Sequence, residues 1–464
     1  MMRLRAAPVL LCLLSLCACK LGPNYKRPAV AVPVQYRGVA PDLPAPAPGG
    51  QAFAEMDWWS VFQDQVLQSL IKEALANNYD MRIAATRILQ AQAIVGITRS
   101  NLFPTLNGSF GIQNQRSVPL FPGAPTFDIA ALQMAYIVDF WGQFRRATEA
   151  ARDNLLSTEY AQNVVRITLI SNLATAYFQL RQFDSQLQFA YQTRDNDNEI
   201  LRINTISFKG GEKAITDVYQ AQLLVQQAEA AIITFIQNIE QSENQISILL
   251  GRNPGPIIRG LNLVDQPHLP EVPAGLPSAI LERRPDVREA EASLASANAT
   301  VGVAKANFFP QISLTGTFGA QSTALTSFLQ GPATFWTVGG QIAQPLFQGG
   351  RIRSTYRLAW AQRDQAELAY KQTVQQAFGD VSNSLVGYRQ ARQFRMKIEE
   401  QTNTYRDTAR LATVRFNGGA TSFLEVLVTE QQYFTSELNL AQAWYTELQN
   451  YTQLYQALGG GWQP

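Results

Sequence analysis

Apolar residues recur along the chain at two distinct spacings. From Ala221 a four-then-three rhythm runs through Val225, Ala228, Ile232, Phe235, Ile239, Ser242, Ile246 and Leu249, the spacing of a helix face packed against another helix. A similar seam passes through Phe434, Leu438, Ala441, Tyr445, Leu448, Thr452 and Tyr455, and a third through Leu173, Tyr177, Leu180, Phe183, Leu187 and Ala190. The opposite faces carry Gln, Asn, Ser and small residues, as a wall with water behind it would. Elsewhere the period is two. Ile312, Leu314, Gly316 and Phe318 alternate with Ser313, Thr315 and Thr317, and Leu132, Met134, Tyr136, Val138 and Phe140 alternate with Gln133, Ala135, Ile137 and Asp139. Leu106 to Gln115 and Phe335 to Ala343 are similar. Segments of about ten residues with this alternation have the length of tilted outer-membrane strands. The turn-rich segments Arg116 to Phe127 and Ser322 to Pro332 are expected to face outward.

The chain is written twice. Asp80-Met81-Arg82 recurs as Asp286-Val287-Arg288, Asn101-Leu102-Phe103-Pro104 as Asn307-Phe308-Phe309-Pro310, and Phe208-Lys209-Gly210-Gly211 as Phe416-Asn417-Gly418-Gly419, always 206 to 208 residues apart. Glycine and proline delimit each copy. Gln143 to Lys209 is a run of 67 residues with neither, and Arg351 to Asn417 is its equivalent, broken only by Gly379 and Gly387. Return runs of 39 residues follow, Glu212 to Leu250 and Ala420 to Leu458. At 1.5 Å per residue these are helices of roughly 100 Å and about 60 Å. A further helix of roughly 35 Å is expected over Tyr79 to Phe103 and over Pro285 to Phe309, stacked on the return helix of its own repeat. Four strands cannot close a barrel alone, so the chain must oligomerise; counting does not set the number of subunits.

Composition narrows the chemistry. The 464 residues are only 16% charged, with a net charge of +2, and no basic run suggests a nucleic-acid partner. All three cysteines, Cys12, Cys17 and Cys19, lie at the N-terminus, and the single histidine, His268, sits in a Pro-rich stretch. Disulfides, thiolate metal sites and His-based catalysis therefore lack material, and Gly210-Gly211-Glu212-Lys213 lacks the spacing of a phosphate loop. No enzyme activity, cofactor or metal is expected. Residues 1–18 have the basic start and short apolar core of an export signal, and Leu16-Cys17-Ala18-Cys19 resembles a lipoprotein box with Cys19 as the acylated residue. No stretch reaches 18 consecutive apolar residues, so any membrane-spanning part must be a closed barrel.

Taken together, the chain resembles the TolC/OprM outer-membrane factor family, in the lipoprotein branch serving resistance-nodulation-division efflux pumps. The resemblance is carried by Cys19-Lys20-Leu21-Gly22-Pro23-Asn24-Tyr25-Lys26-Arg27-Pro28, Trp58-Trp59, Asp139-Phe140-Trp141-Gly142, Arg283-Arg284-Pro285-Asp286, Pro345-Leu346-Phe347-Gln348-Gly349-Gly350 and the stretch from Leu454 to Trp462. It implies an α+β membrane protein: a homotrimer pooling a twelve-stranded outer-membrane β-barrel, continued by a twelve-helix periplasmic α-barrel, with internal duplication. The implied organisation is a signal peptide (1–18), an anchor and equatorial segment (19–78), repeat 1 (79–250), an equatorial linker (251–284) and repeat 2 with the C-terminal segment (285–464).

By the same resemblance the protein is a passive exit duct for drugs or other small toxic compounds, fed by an inner-membrane pump through a periplasmic adaptor (membrane fusion) protein. The alternative is the outer-membrane channel of a type I protein secretion system. The implied lipid anchor is Cys19, inserted in outer-membrane lipid. The tip turns at Gly210, Gly211, Gly418 and Gly419 would meet the adaptor. The periplasmic gate would lie at Thr216, Asp217, Phe416, Thr421 and Glu425. Phe416 stands where TolC has a gate tyrosine, Thr421 where it has an arginine and Val428 where it has a second acid, so closure is expected to rest on apolar packing or on residues such as Arg415.

Overall fold

The computed structural model describes residues 20–34, 36, 57–114, 126–266, 279–322 and 333–462. The signal peptide, Cys19 and His268 lie outside them. In chain order the elements are α1 (Trp58–Val61), α2 (Gln65–Asn77), α3 (Tyr79–Ser100), β1 (Thr105–Asn114), β2 (Thr126–Val138), α4 (Gln143–Lys209), α5 (Ile215–Leu249), α6 (Ile280–Arg283), α7 (Pro285–Ala306), β3 (Gln311–Ser322), β4 (Thr334–Ala343), α8 (Arg351–Asn417) and α9 (Phe423–Ala457). A 3-10 turn, Leu263–Asp265, lies between α5 and α6. No helix among the described residues is long and apolar enough to cross a membrane.

Both 67-residue runs are single helices with the bounds their sequence sets. The return helices have 35 residues each instead of the 39 of the runs, because residues after each Gly-Gly are spent on the turn. Phe140 was expected to end β2, but the strand stops at Val138. The reason is Asp139, whose carboxylate accepts the backbone N–H groups of Phe144 and Arg145, both at 3.0 Å. It caps the start of α4, where the first turn leaves donors unpaired.

The chain divides into two compact units. The first comprises 1–29, 86–159 and 289–372 and holds the sheet, an antiparallel meander in the order β1-β2-β3-β4. Its central pairing, β2 with β3, joins one repeat to the other. The register places Leu132 opposite Phe318, and Phe318 opposite Trp336. It likewise aligns Asn107 with Gln133, Gln133 with Thr317, and Thr317 with Thr337. Because successive side chains point to opposite faces, one face of the sheet is mainly apolar, Asp128 excepted, and the other carries most of the amides and hydroxyls, with Ile129, Ile137 and Phe335 among them. The N-terminal segment packs in the same unit: Arg146 is buried and donates to the carbonyl of Leu21 at 3.0 Å and to Asn24 at 2.8 Å.

The second unit comprises 30–85, 160–288 and 373–464. Leu173, Tyr177, Leu180 and Ala190 of α4 are all buried there, with Ala221, Ala228, Ile232 and Ile246 of α5, so the heptad seams form the core. End-to-end stacking of helices is also present, capped by a different residue in each repeat. Asn78 accepts from the N–H groups of Asp80 and Met81 at the start of α3, and its amide donates to Leu249 O at the end of α5, 2.9 Å away. In the second repeat Arg284, just before α7, donates to Ala457 O in the last turn of α9 at 3.2 Å.

Candidate functional site: the paired helical tips

The two turns joining long and return helices have the same backbone. Gly211 N–H reaches Phe208 O at 2.9 Å and Glu212 N–H reaches Ser207 O at 2.9 Å; 208 residues later Gly419 pairs with Phe416 O and Ala420 with Arg415 O, again both at 2.9 Å. Gly211 and Gly419 have φ of 80° and 74°, the left-handed cap that glycine alone adopts without strain. No side chain caps the return helices, whose preceding residues Ala214 and Ser422 make no such bond. Asp217 and Glu425 each lie in the first turn instead, where the helix dipole favours a negative charge.

The side chains break the symmetry. In the second tip Phe416, Thr421 and Glu425 come together: Arg415 donates to Glu425 at 2.9 Å, and Thr421 donates to the other carboxylate oxygen. Glu425 is thus not an uncompensated acid within the chain. Phe416 packs on Phe423 with ring centroids 5.3 Å apart. Behind them Ala221, Ala412, Phe423 and Val426 form a small core, with Ile200, Leu201 and Leu427 against it.

Thr216 and Asp217 stand on the other tip, and the link between tips is a residue that sequence reasoning missed. Lys213 places its ammonium 3.8 Å from the centre of the Phe416 ring, a cation–π contact, and donates to Asn204 at 3.0 Å. Burial lowers the Lys213 pKa, while the Asp217 and Glu212 charges oppose that shift. Arg415 and the Phe416–Phe423 packing thus lie together at this tip. The available sequence signal was that Lys213 lies 208 residues before Thr421, a cation where the second repeat has a hydroxyl.

No group of acids, histidines or cysteines able to hold a metal occurs among the described residues. What the tips can do is hold helix ends together through a few polar and aromatic contacts.

The comparisons with known proteins follow the same duplication. The profile of the family described as "Outer membrane efflux protein" matches residues 70–252 and again 276–460. The cation efflux system protein CusC of Escherichia coli O6:H1 (strain CFT073) is 33% identical over 453 residues, covering 97% of this chain and 97% of its own. The solvent efflux pump outer membrane protein SrpC of Pseudomonas putida is 32% identical over 477 residues, with 99% of each chain covered. Among solved structures, the open state of the Neisseria gonorrhoeae MtrE outer membrane channel superposes with a TM-score of 0.86 at 28% identity, covering 96% of this chain and 99% of that one.

Proposed function

Because the chain belongs to the outer membrane efflux protein family, and so is an outer-membrane exit channel of an efflux pump and not an enzyme, we propose that it works as a homotrimer whose helical tips gate the duct. The observation that carries the assembly is the sheet, four strands with β1 and β4 at its edges and one face mainly apolar; the number three is what the family resemblance implies. Edge N–H and C=O groups cannot be left open in lipid. Three copies pairing β4 of one with β1 of the next satisfy every edge and give twelve strands, an even number within the range of such barrels. The apolar row through Leu132, Phe318 and Trp336 then meets lipid, and the polar row through Gln133 and Thr317 meets water.

In this reading Cys19 carries a lipid in the outer membrane, the tips at Gly210-Gly211 and Gly418-Gly419 meet a periplasmic adaptor, and an inner-membrane resistance-nodulation-division pump supplies the energy. The relatives are named for cations and for solvents at nearly equal similarity. Cargo choice therefore belongs to the pump, and the duct passes what it is fed. Light scattering of the detergent-solubilised protein tests the assembly: three chains per particle are expected, and a monomer retaining its full β-content would refute the reading. Metabolic labelling with palmitate tests the anchor, since Cys19→Ser is expected to lose the label while the barrel stays in the membrane fraction.

A further inference from the structure

The seam of α4 changes chemistry as it nears the tip. Ala190, Asp197 and Asn204 follow at steps of seven on its buried face, at 0, 2 and 0% exposure. Two polar residues thus hold core positions of the kind filled higher up by Leu173, Tyr177 and Leu180. Asp197 lines a cavity of about 10 Å³ together with Leu224, Ala228 and Glu430, room for about one water. Its Oδ1 has no hydrogen-bond partner.

The charges around this cavity do not balance. On α9, Glu430 accepts from Thr413 of α8 at 3.4 Å, and Glu437 lies two turns further along. The α5 side supplies Leu224, Gln227 and Ala228, none of them charged. Arg406 of α8 acts on Glu437 and on Tyr433, its hydrogen-bonded neighbour. On α4 itself Arg194 is engaged by Asp195 at 2.6 Å. The charged group acting on Asp197 is Glu430, an acid facing an acid. Two carboxylates in a poorly solvated cleft cannot both ionise freely. Burial, and after it the Glu430 charge, pushes Asp197 up to about 7, and burial raises Glu430 and Glu437 as well.

We propose that Asp197 holds a proton beside Glu430 and releases it to water as the surroundings turn alkaline, making the α4–α9 packing behind the tips a pH-sensitive latch. A raised acid pKa means that the packed state binds more protons than a state that exposes the acids. The packing is therefore firmest at acidic pH. It weakens as pH climbs from the ordinary carboxylate range near 4 to about 7, and no further change follows above that. The consequence for opening rests on the reading of the tips as the gate; the proton itself does not.

Two measurements on the full-length trimer separate these. Infrared spectroscopy is expected to show a protonated-carboxyl band that persists at about pH 6, fades by about pH 8, and is missing in Asp197→Asn. Absence of that band in the parent protein, or its survival in Asp197→Asn, overturns the proposal. Single-channel recording is expected to show an open fraction that rises several-fold, up to about tenfold, over the same range, since one proton allows up to about tenfold per pH unit below the raised pKa and nothing above it. It should be nearly flat in the near-isosteric Asp197→Asn, whereas in Glu430→Gln the rise is expected to move to lower pH, because burial still holds Asp197 up once the neighbouring charge is gone. A titrating band beside a pH-independent open fraction overturns the latch if Phe416→Ala still eases opening. If Phe416→Ala has no effect, the gate reading fails instead.

Discussion

Tyr177 of α4 donates its hydroxyl to Asp64 at 2.9 Å across 113 residues of sequence, and that carboxylate is the hub of the segments around it. Asp64, only 1% exposed, also accepts from Val66 N–H and Leu67 N–H at the start of α2, from Leu261 N–H and from the Gln266 amide. Tyr177 in turn accepts from Gly260 N–H at 2.8 Å. One acid thereby ties the segment before α2, the long helix and the linker after α5 into a single polar knot. Among the described residues its oxygens are met by N–H and O–H donors and by no ion pair, and a buried carboxylate needs such donors.

Removing that acid leaves several buried donors without an acceptor. Asp64→Ala is expected to destabilise the fold by about 3 kcal/mol or more, seen as a lowered midpoint in thermal melts followed by helical circular dichroism. Asp64→Asn, close in shape, should recover only part of the loss, because its amide presents donors to a site built of donors. Full stability in Asp64→Ala would show that water replaces the carboxylate.

Arg284 joins the end of α9 to the start of α7. Its fork grips Asp286 at 2.6 and 3.0 Å, reaches Asp380 at 3.0 Å and still donates to Ala457 O. A lysine keeps the charge and loses the planar fork. Arg284→Lys is expected to cost about 1 to 3 kcal/mol and Arg284→Met more, since Met leaves two carboxylates without their partner. Equal melts for Lys and Arg would mean that charge alone matters there.

At the tip, Arg415 offsets Glu425, so their removal should act in opposite directions on ion flow. Acids repeated around a threefold axis enrich cations at a constriction. Glu425→Gln is expected to weaken cation selectivity and block by multivalent cations, and Arg415→Gln to strengthen both. Asp128, on β2 and paired opposite Ser322, serves as the control and should change neither when made Asn. Reversal potentials under a salt gradient decide it. Unchanged potentials in both tip variants would leave Glu425 only its place in the helix dipole.

The N-terminal segment is seated by a close backbone approach. A methyl on Gly302 would stand 2.7 Å from Leu21 O and 3.0 Å from the Arg146 side chain, too near for either to remain in place. Gly302→Val is therefore expected to release residues 20–28 from α7, detected as faster hydrogen exchange in that segment with the sheet's protection unchanged. Unaltered exchange would indicate that the segment is held by its other contacts, such as the Arg27 to Glu291 ion pair.

Much of this architecture is local, and so the sequence by itself determined it. The helices run from Gln143 to Lys209 and from Arg351 to Asn417 because no proline interrupts them and the second tolerates Gly379 and Gly387 in its interior, and they end at Gly-Gly because only glycine makes that reversal cheaply. Strand periodicity and the twofold repeat are equally local regularities. What only the tertiary structure decided is which polar group meets which. The Lys213 ammonium over Phe416, the different caps Asn78 and Arg284 on equivalent stacks, the Asp64 knot and the unpaired Oδ1 of Asp197 all join residues distant in sequence or leave a polar atom without a mate. Satisfaction of a buried donor or acid depends on what the other helices bring to it. A heptad seam fixes that position 197 is buried, but only the packed helices set Glu430, an acid, beside it.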